Sequence, residues 1–354
     1  MASKAQKNSI YSLILLVVVM SVYFWRSANN PEETQETELT SPGKITFSGE
    51  TMGTTYSLTY LSKSGKNLQA SVDSLLVVFN SSLSTYIPDS ELSRFNRMDT
   101  LAFALPYLPQ VLIASKTVYE NTAGAFDPTV GPLVNVWGFG PGGPELKDST
   151  DIGLLLRLVG FDKVNFDQNE VRKTVAGVYL DFSAIAKGQG VDVIADFLNK
   201  KGINDYLVEI GGELVAKGVN EKGELWKVGI NRPDETASAS DLYSIIALEN
   251  RGMATSGNYR NYYMKDSVKI SHTINPVTGY PVNHSLLSAT VLAKDCMTAD
   301  AYATALMVMG VERAIQLDSA LSEIEVFLIY GDGKGGYSTF ASESLKPYLS
   351  FIQE

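Results

Sequence analysis

The chain has 354 residues, 45% hydrophobic and 19% charged, with 29 Lys and Arg against 39 Asp and Glu and a formal net charge of -10. This is a globular composition, long enough for one large domain or two smaller ones. Its acidity and the lack of any Lys/Arg block exclude a broad nucleic-acid footprint. The single cysteine, Cys296, allows no internal disulfide, and two histidines rule out a Cys/His zinc cluster, so any metal would be held by oxygen.

In chain order, the first element is an apolar run at residues 10–25, preceded by Lys4 and Lys7 and followed by Arg26. Sixteen residues of helix span roughly 24 Å, which fits a signal sequence or a short membrane anchor. Tyr23, Phe24, Trp25 and Arg26 are poor neighbours for a signal-peptidase site, and no cysteine follows for lipid attachment. The expectation is an uncleaved anchor over residues 1–28, with Lys4 and Lys7 cytoplasmic and the remainder outside. Cleavage after Ala28 is the alternative. Residues 29–43, rich in Glu, Thr, Pro and Ser, read as a flexible tether.

From residue 44 to 354 strands and helices alternate without internal repeats and read as one unit. β-Branched and aromatic alternation marks residues 45–60 as strand. Leu68, Val72, Leu75, Leu76, Phe79 and Leu83 then fall at helical spacing. Further helices are expected over 106–121, 186–200, 297–309 and 311–321. Residues 213–218 and 225–231 flank a Gly-containing turn and suggest a hairpin, and strands are expected over 242–248, 254–264, 268–273 and 288–293. A last hairpin is expected from 325–330 and 337–341. Helices set among hairpins indicate an α+β fold of antiparallel or mixed sheets with packed helices.

Standard nucleotide-binding fingerprints are absent. Asp300 and Thr304 lie four apart in a helix opened near Asp295, so a carboxylate and a hydroxyl share one face and suit Mg²⁺; equally, Asp300 is a first-turn acid favoured by the helix dipole. Asp181 ends a strand, and a short turn through Ala184 enters a helix with Lys187 in its first turn, which reads either as an anion site or as a snorkelling lysine. His272, near a turn over 271–281, is a base, a phosphate contact or a packed imidazole. The Gly-punctuated loops 124–133 and 209–213 allow close approach of backbone to a ligand.

Taken together these segments resemble the ApbE family, the FAD:protein FMN transferases. The resemblance runs over roughly residues 45–310: Thr51-Met52-Gly53-Thr54, the stretch from Leu83 through Tyr86 to Asn96, Ala125-Phe126-Asp127-Pro128, the turn from Asp181 to Gly188, Gly211-Gly212, Ser256-Gly257, the segment from Ser271 to Pro281, and the helix of Asp300 and Thr304. It implies a transferase, with FAD contacts at Met52, Tyr86, Ala125, Phe126, Asp127, Asp181, Lys187 and Ile274. It implies Mg²⁺ ligands at the Ala184 carbonyl, Asp300 and Thr304, and a functional histidine at His272. Three positions depart from the family pattern: Ala303 stands where some members have a further acid, Glu209 where Asn or Asp is frequent, and the lipid-attachment cysteine is missing.

The implied reaction moves FMN from FAD to a Ser or Thr hydroxyl of an acceptor protein and releases AMP. The cation and Lys187 would offset phosphate charge, and His272 would handle the proton or position the acceptor. Acceptors would be extracytoplasmic flavoproteins, such as subunits of ion-translocating redox complexes with an Asp-Gly-Ala-Thr type motif, met at the periplasmic face of the inner membrane. Two rivals share the residues: an FAD pyrophosphatase giving FMN and AMP, and a non-catalytic exported flavin-binding protein.

Overall fold

A β-rich start is realised as two strands, β1 (Gly43–Thr51) and β2 (Thr54–Ser62), joined by a tight turn in which Met52 and Gly53 have φ of 51° and 72°. Positive φ at both central turn positions matches the twist of a two-residue hairpin. Every second residue from Tyr56 to Tyr60 is fully buried, which fixes the register. The computed structural model describes residues 42–141, 151–234, 238, 240–259, 262–265 and 268–352. By its contacts the chain divides into Met1–Pro42 with Lys63–Gly65, and Gly43–Ser62 with Lys66–Glu354; all features below belong to the second unit. The expected anchor and, apart from Pro42 and Gly43, the expected tether lie outside the described residues. Among the described residues no helix is long and apolar enough to cross a membrane.

The elements continue as helices α1 (Gln69–Leu83) and α2 (Glu91–Arg97), strand β3 (Thr100–Ala102), helices α3 (Tyr107–Asn121), α4 (Gly131–Val136) and α5 (Ile152–Leu156), and strands β4 (Val164–Phe166) and β5 (Glu170–Lys173). Helix α6 (Ala186–Lys200) is followed by strands β6 (Tyr206–Ile210), β7 (Glu213–Lys217), β8 (Trp226–Asn231), β9 (Leu242–Leu248), β10 (Arg251–Gly257), β11 (Tyr262–Lys265), β12 (Val268–Ser271) and β13 (Leu286–Ala293). Helices α7 (Cys296–Met309) and α8 (Val311–Ala320) precede β14 (Ile324–Gly331), β15 (Tyr337–Ala341) and β16 (Leu349–Phe351).

The strands form one eight-stranded sheet, in the order β1-β2-β6-β7-β10-β13-β14-β15, and three small sheets, β16-β9-β8, β3-β5-β4 and β11-β12. The strand pairs are antiparallel throughout the described residues. The α+β expectation therefore holds in its antiparallel form. Helix α7 lies in the core: its sequence is largely apolar, and all its residues but Met297, Thr298, Thr304 and Met309 are buried, as expected for a helix covered on most sides.

Three local expectations are corrected. The turn at Asn220 forms, with Gly223 N–H donating to the Asn220 carbonyl at 2.9 Å, but it does not close a hairpin. Strand β7 is buried from Glu213 to Ala216 and has both edges taken by β6 and β10, so β8 pairs with β9 in another sheet. The strand expected over 254–264 is divided between β10 and β11. The strand expected to end at Asp181 is absent, because the Asn96 side chain takes the place of a neighbouring strand: it donates to the Leu180 carbonyl and accepts the Leu180 N–H, both at 2.8 Å.

Candidate active site

A cleft of about 570 Å³ opens beside α7. Several separated stretches of chain supply it. The loop after α3 brings Ala125, Phe126 and Asp127; the approach to α6 brings Asp181, Ala184 and Lys187; α7 brings Asp300 and Thr304; the segment after β12 brings His272 and Ile274; and Tyr86 comes from the loop after α1. Every residue for which the resemblance implies an FAD contact, a Mg²⁺ ligand or the functional histidine lines this cleft except Met52. Its side chain instead packs toward the core, where a Cβ added at Gly190 would meet Met52 Cε at 2.7 Å.

Local chemistry explains each placement. Helix α3 ends in a left-handed turn at Ala123 and Gly124, and the Thr122 hydroxyl accepts the Phe126 N–H at 3.2 Å. Asp127 caps the next turn, accepting the Thr129 N–H at 2.8 Å and its hydroxyl at 2.6 Å. The two loops are tied together by Asp181 N–H donating to the Pro128 carbonyl at 2.8 Å. Opposite them, Trp137 Nε1–H donates to the Gly279 carbonyl at 2.8 Å and holds the 271–281 segment, in which Ile274 is buried. The His272 ring stands edge-on to Phe139, with centroids 6.3 Å apart.

Helices α6 and α7 meet where the charged groups converge. Asp300 is 4% exposed, and its Oδ2 accepts the Gly188 N–H at 3.0 Å. That N–H makes no bond to the Ala184 carbonyl four residues back. Asp300, Thr304 and the Ala184 carbonyl thus offer hard oxygen donors to one cleft, and this set fits a hard divalent cation that keeps waters or substrate phosphate as its other ligands. Among the described residues no three His, Cys, Asp or Glu side chains converge as a metal cage. Asp295 caps α7, accepting the Thr298 N–H at 2.8 Å, and the first turn of the helix holds no acid, so the reading of Asp300 as a first-turn acid is not borne out.

The sequence did not mark Glu213 as a site residue. It opens β7, lines the cleft and accepts from Lys187 Nζ. A carboxylate at the head of an otherwise apolar buried strand, directly after Gly211-Gly212, was the available signal. Burial raises the pKa of Glu213, and the charge of Asp300 raises it further against the pull of Lys187. Burial likewise raises Asp300, opposed by Lys187 and the Gly188 N–H. Burial alone would lower Lys187, but Asp300 and Glu213 outweigh it and hold the ammonium protonated. Two carboxylates around one ammonium leave the group receptive to further positive charge. Burial also pushes Asp127 up to about 6, although both Thr129 hydrogen bonds favour its ionised form.

Two family departures have structural places outside the cleft lining. Ala303 is buried in the core. Glu209 accepts the Gly212 N–H at 2.5 Å and closes the β6–β7 turn.

The sequence model of the ApbE family matches residues 52–328, which span all these stretches. The chain belongs to the ApbE family. An ApbE relative from Vibrio cholerae, named FAD:protein FMN transferase, is 42% identical over 315 residues, covering 87% of this chain and 93% of the relative. One of the same name from Haemophilus influenzae is 39% identical, covering 85% and 90%. Among solved structures, the flavin transferase ApbE from Vibrio cholerae superposes with a TM-score of 0.78 at 40% identity, over 87% of this chain and 99% of that one. The apo flavinyl transferase ApbE of Pseudomonas stutzeri gives 0.78 at 34% identity, over 88% and 98%.

Proposed function

We propose that this ApbE-family chain is an FAD:protein FMN transferase that moves FMN from FAD to a Ser or Thr hydroxyl of an acceptor protein, with Mg²⁺ as the cation, and releases AMP. The observation that carries the proposal is the convergence of the Asp300–Thr304 face, Lys187 and His272 on one cleft that also receives the loop Ala125-Phe126-Asp127. It is supported by the names of relatives covered over nearly their whole length.

In the transfer, the acceptor oxygen forms a bond to the phosphorus of the FMN half, the bond from that phosphorus to the AMP oxygen breaks, and the hydroxyl proton leaves. Asp300, Thr304 and the Ala184 carbonyl would hold the cation, which would supply positive charge to offset that of the diphosphate. Lys187 donates to a phosphate oxygen. His272 takes the hydroxyl proton or orients the acceptor, as suits a group whose ordinary pKa lies near neutrality. Tyr86, Phe126 and Ile274 offer apolar surface to the flavin, and Asp127 and Asp181 offer acceptors to its polar edge.

The apolar run at residues 10–25 and the lysines before it support an inner-membrane anchor with the catalytic unit on the extracytoplasmic side. The acceptors would be flavoproteins of that compartment, including subunits of ion-translocating redox complexes. AMP release from FAD, measured against the concentration of an acceptor with a Thr-containing motif, tests the reaction class. Release that depends on acceptor supports transfer. Release without acceptor makes the chain an FAD pyrophosphatase, and bound but unchanged FAD makes it a flavin carrier.

A further inference from the structure

One carboxylate in the cleft is not accounted for by flavin contacts or cation ligation. Glu213 is 4% exposed, its Oε1 accepts from Lys187 Nζ, and its Oε2 is buried without a hydrogen-bond partner. It heads a strand whose next three residues, Leu214, Val215 and Ala216, are all buried. A carboxylate there is costly to fold unless its partner gives something in return. That partner, Lys187, sits in the first turn of α6 on a flexible four-carbon stem, with Asp300 as a competing anion nearby.

We propose that Glu213 is the positioning residue of Lys187, fixing the ammonium inside the cleft so that its remaining N–H donors face the diphosphate of the flavin substrate. The proposal rests on the FAD reading of this cleft. With Lys187 present, Glu213 aids anion binding by placing a cation; without Lys187 it has no ammonium to place, and the buried carboxyl, raised further beside Asp300, takes a proton and is neutral toward the diphosphate.

The test is a double-mutant cycle on the full 354-residue chain. FAD affinity is measured by flavin fluorescence with divalent cations chelated, and melting temperature is recorded for each variant. Glu213→Ala in the wild-type background is expected to weaken FAD binding about ten-fold, as for loss of one charged hydrogen bond. Added to Lys187→Ala, the same substitution is expected to leave affinity unchanged. Equal fold-losses in the two backgrounds overturn the proposal and make Glu213 a general support of the strand. Should Glu213→Ala fail to fold, Glu213→Gln, which keeps the shape and one acceptor, completes the same cycle, with a loss in the wild-type background alone expected and the same additivity contradicting it. An FAD affinity that is unaffected by Lys187→Ala overturns both the proposal and the assignment of Lys187 to the diphosphate.

Discussion

Asp300 combines near-complete burial with a single described hydrogen bond, from Gly188, and so keeps lone pairs for a ligand on the cleft side. Asp300→Ala is expected to abolish Mg²⁺-dependent turnover while FAD still binds; AMP release measured across a Mg²⁺ titration checks this, and a wild-type response at limiting Mg²⁺ would remove Asp300 from the cation site. Asp127 supplies a pH signature. Its folded pKa of about 6 lies above the ordinary carboxylate range because of burial. A raised carboxylate pKa means that the folded state holds the proton more tightly than the unfolded chain, so its stabilising contribution is complete below about pH 4 and is lost as pH rises through about 6. The stability of wild type relative to Asp127→Asn is therefore expected to fall, by on the order of 2 kcal/mol, between pH 4 and pH 7. Denaturant melts at several pH values measure it, and a constant difference would show that Asp127 is ionised in the fold. At this scale the sequence was informative where spacing is local: Asp300 and Thr304 share a helical face by counting alone. Glu213 was hidden because its partner Lys187 lies 26 positions away.

The junction of α6 with α7 sets the distance between Lys187 and Asp300. Gly188 is small because a Cβ there would sit 2.4 Å from the Cys296 carbonyl oxygen and 2.8 Å from Met297 Cα, and these backbone atoms cannot turn aside. Asp192, one turn further along α6, accepts the N–H groups of Cys296 and Met297 at 2.9 and 2.8 Å and joins the two helices at the start of α7. Gly188→Ala is expected to cost about 1–3 kcal/mol from overpacking and to lower turnover along with stability. Asp192→Ala leaves two helix N–H groups without acceptors and is expected to cost a similar amount, about 1–3 kcal/mol. Thermal unfolding checks both, and unchanged melting temperatures would show that the junction relaxes freely. The long helices were legible from 3.6-residue periodicity, and α6 falls over the expected 186–200. Pairing was less legible: the turn at Asn220 looks like a hairpin locally, yet the neighbours of β7 are chosen by burial on both faces and both edges, a property of the whole sheet. Likewise, nothing near Leu180 announces that Asn96 will occupy its backbone groups.

Across the whole molecule, one antiparallel sheet and a buried helix hold several separated stretches of chain around one cleft, which is why no contiguous motif describes the site. The order of those stretches carried the family resemblance, and the matched span 52–328 contains every cleft residue discussed. The net charge of -10 makes the exterior a poor general anion binder, so on the proposed function diphosphate recognition would fall on local donors, chiefly Lys187 and a cation bound beside it. The most direct test of the account is the intact mass of an acceptor protein after incubation with this chain, FAD and Mg²⁺. The account predicts a covalent increment of one FMN on the acceptor, lost when its target Thr is replaced and absent with Asp300→Ala. An unmodified acceptor with free FMN and AMP in solution would contradict it.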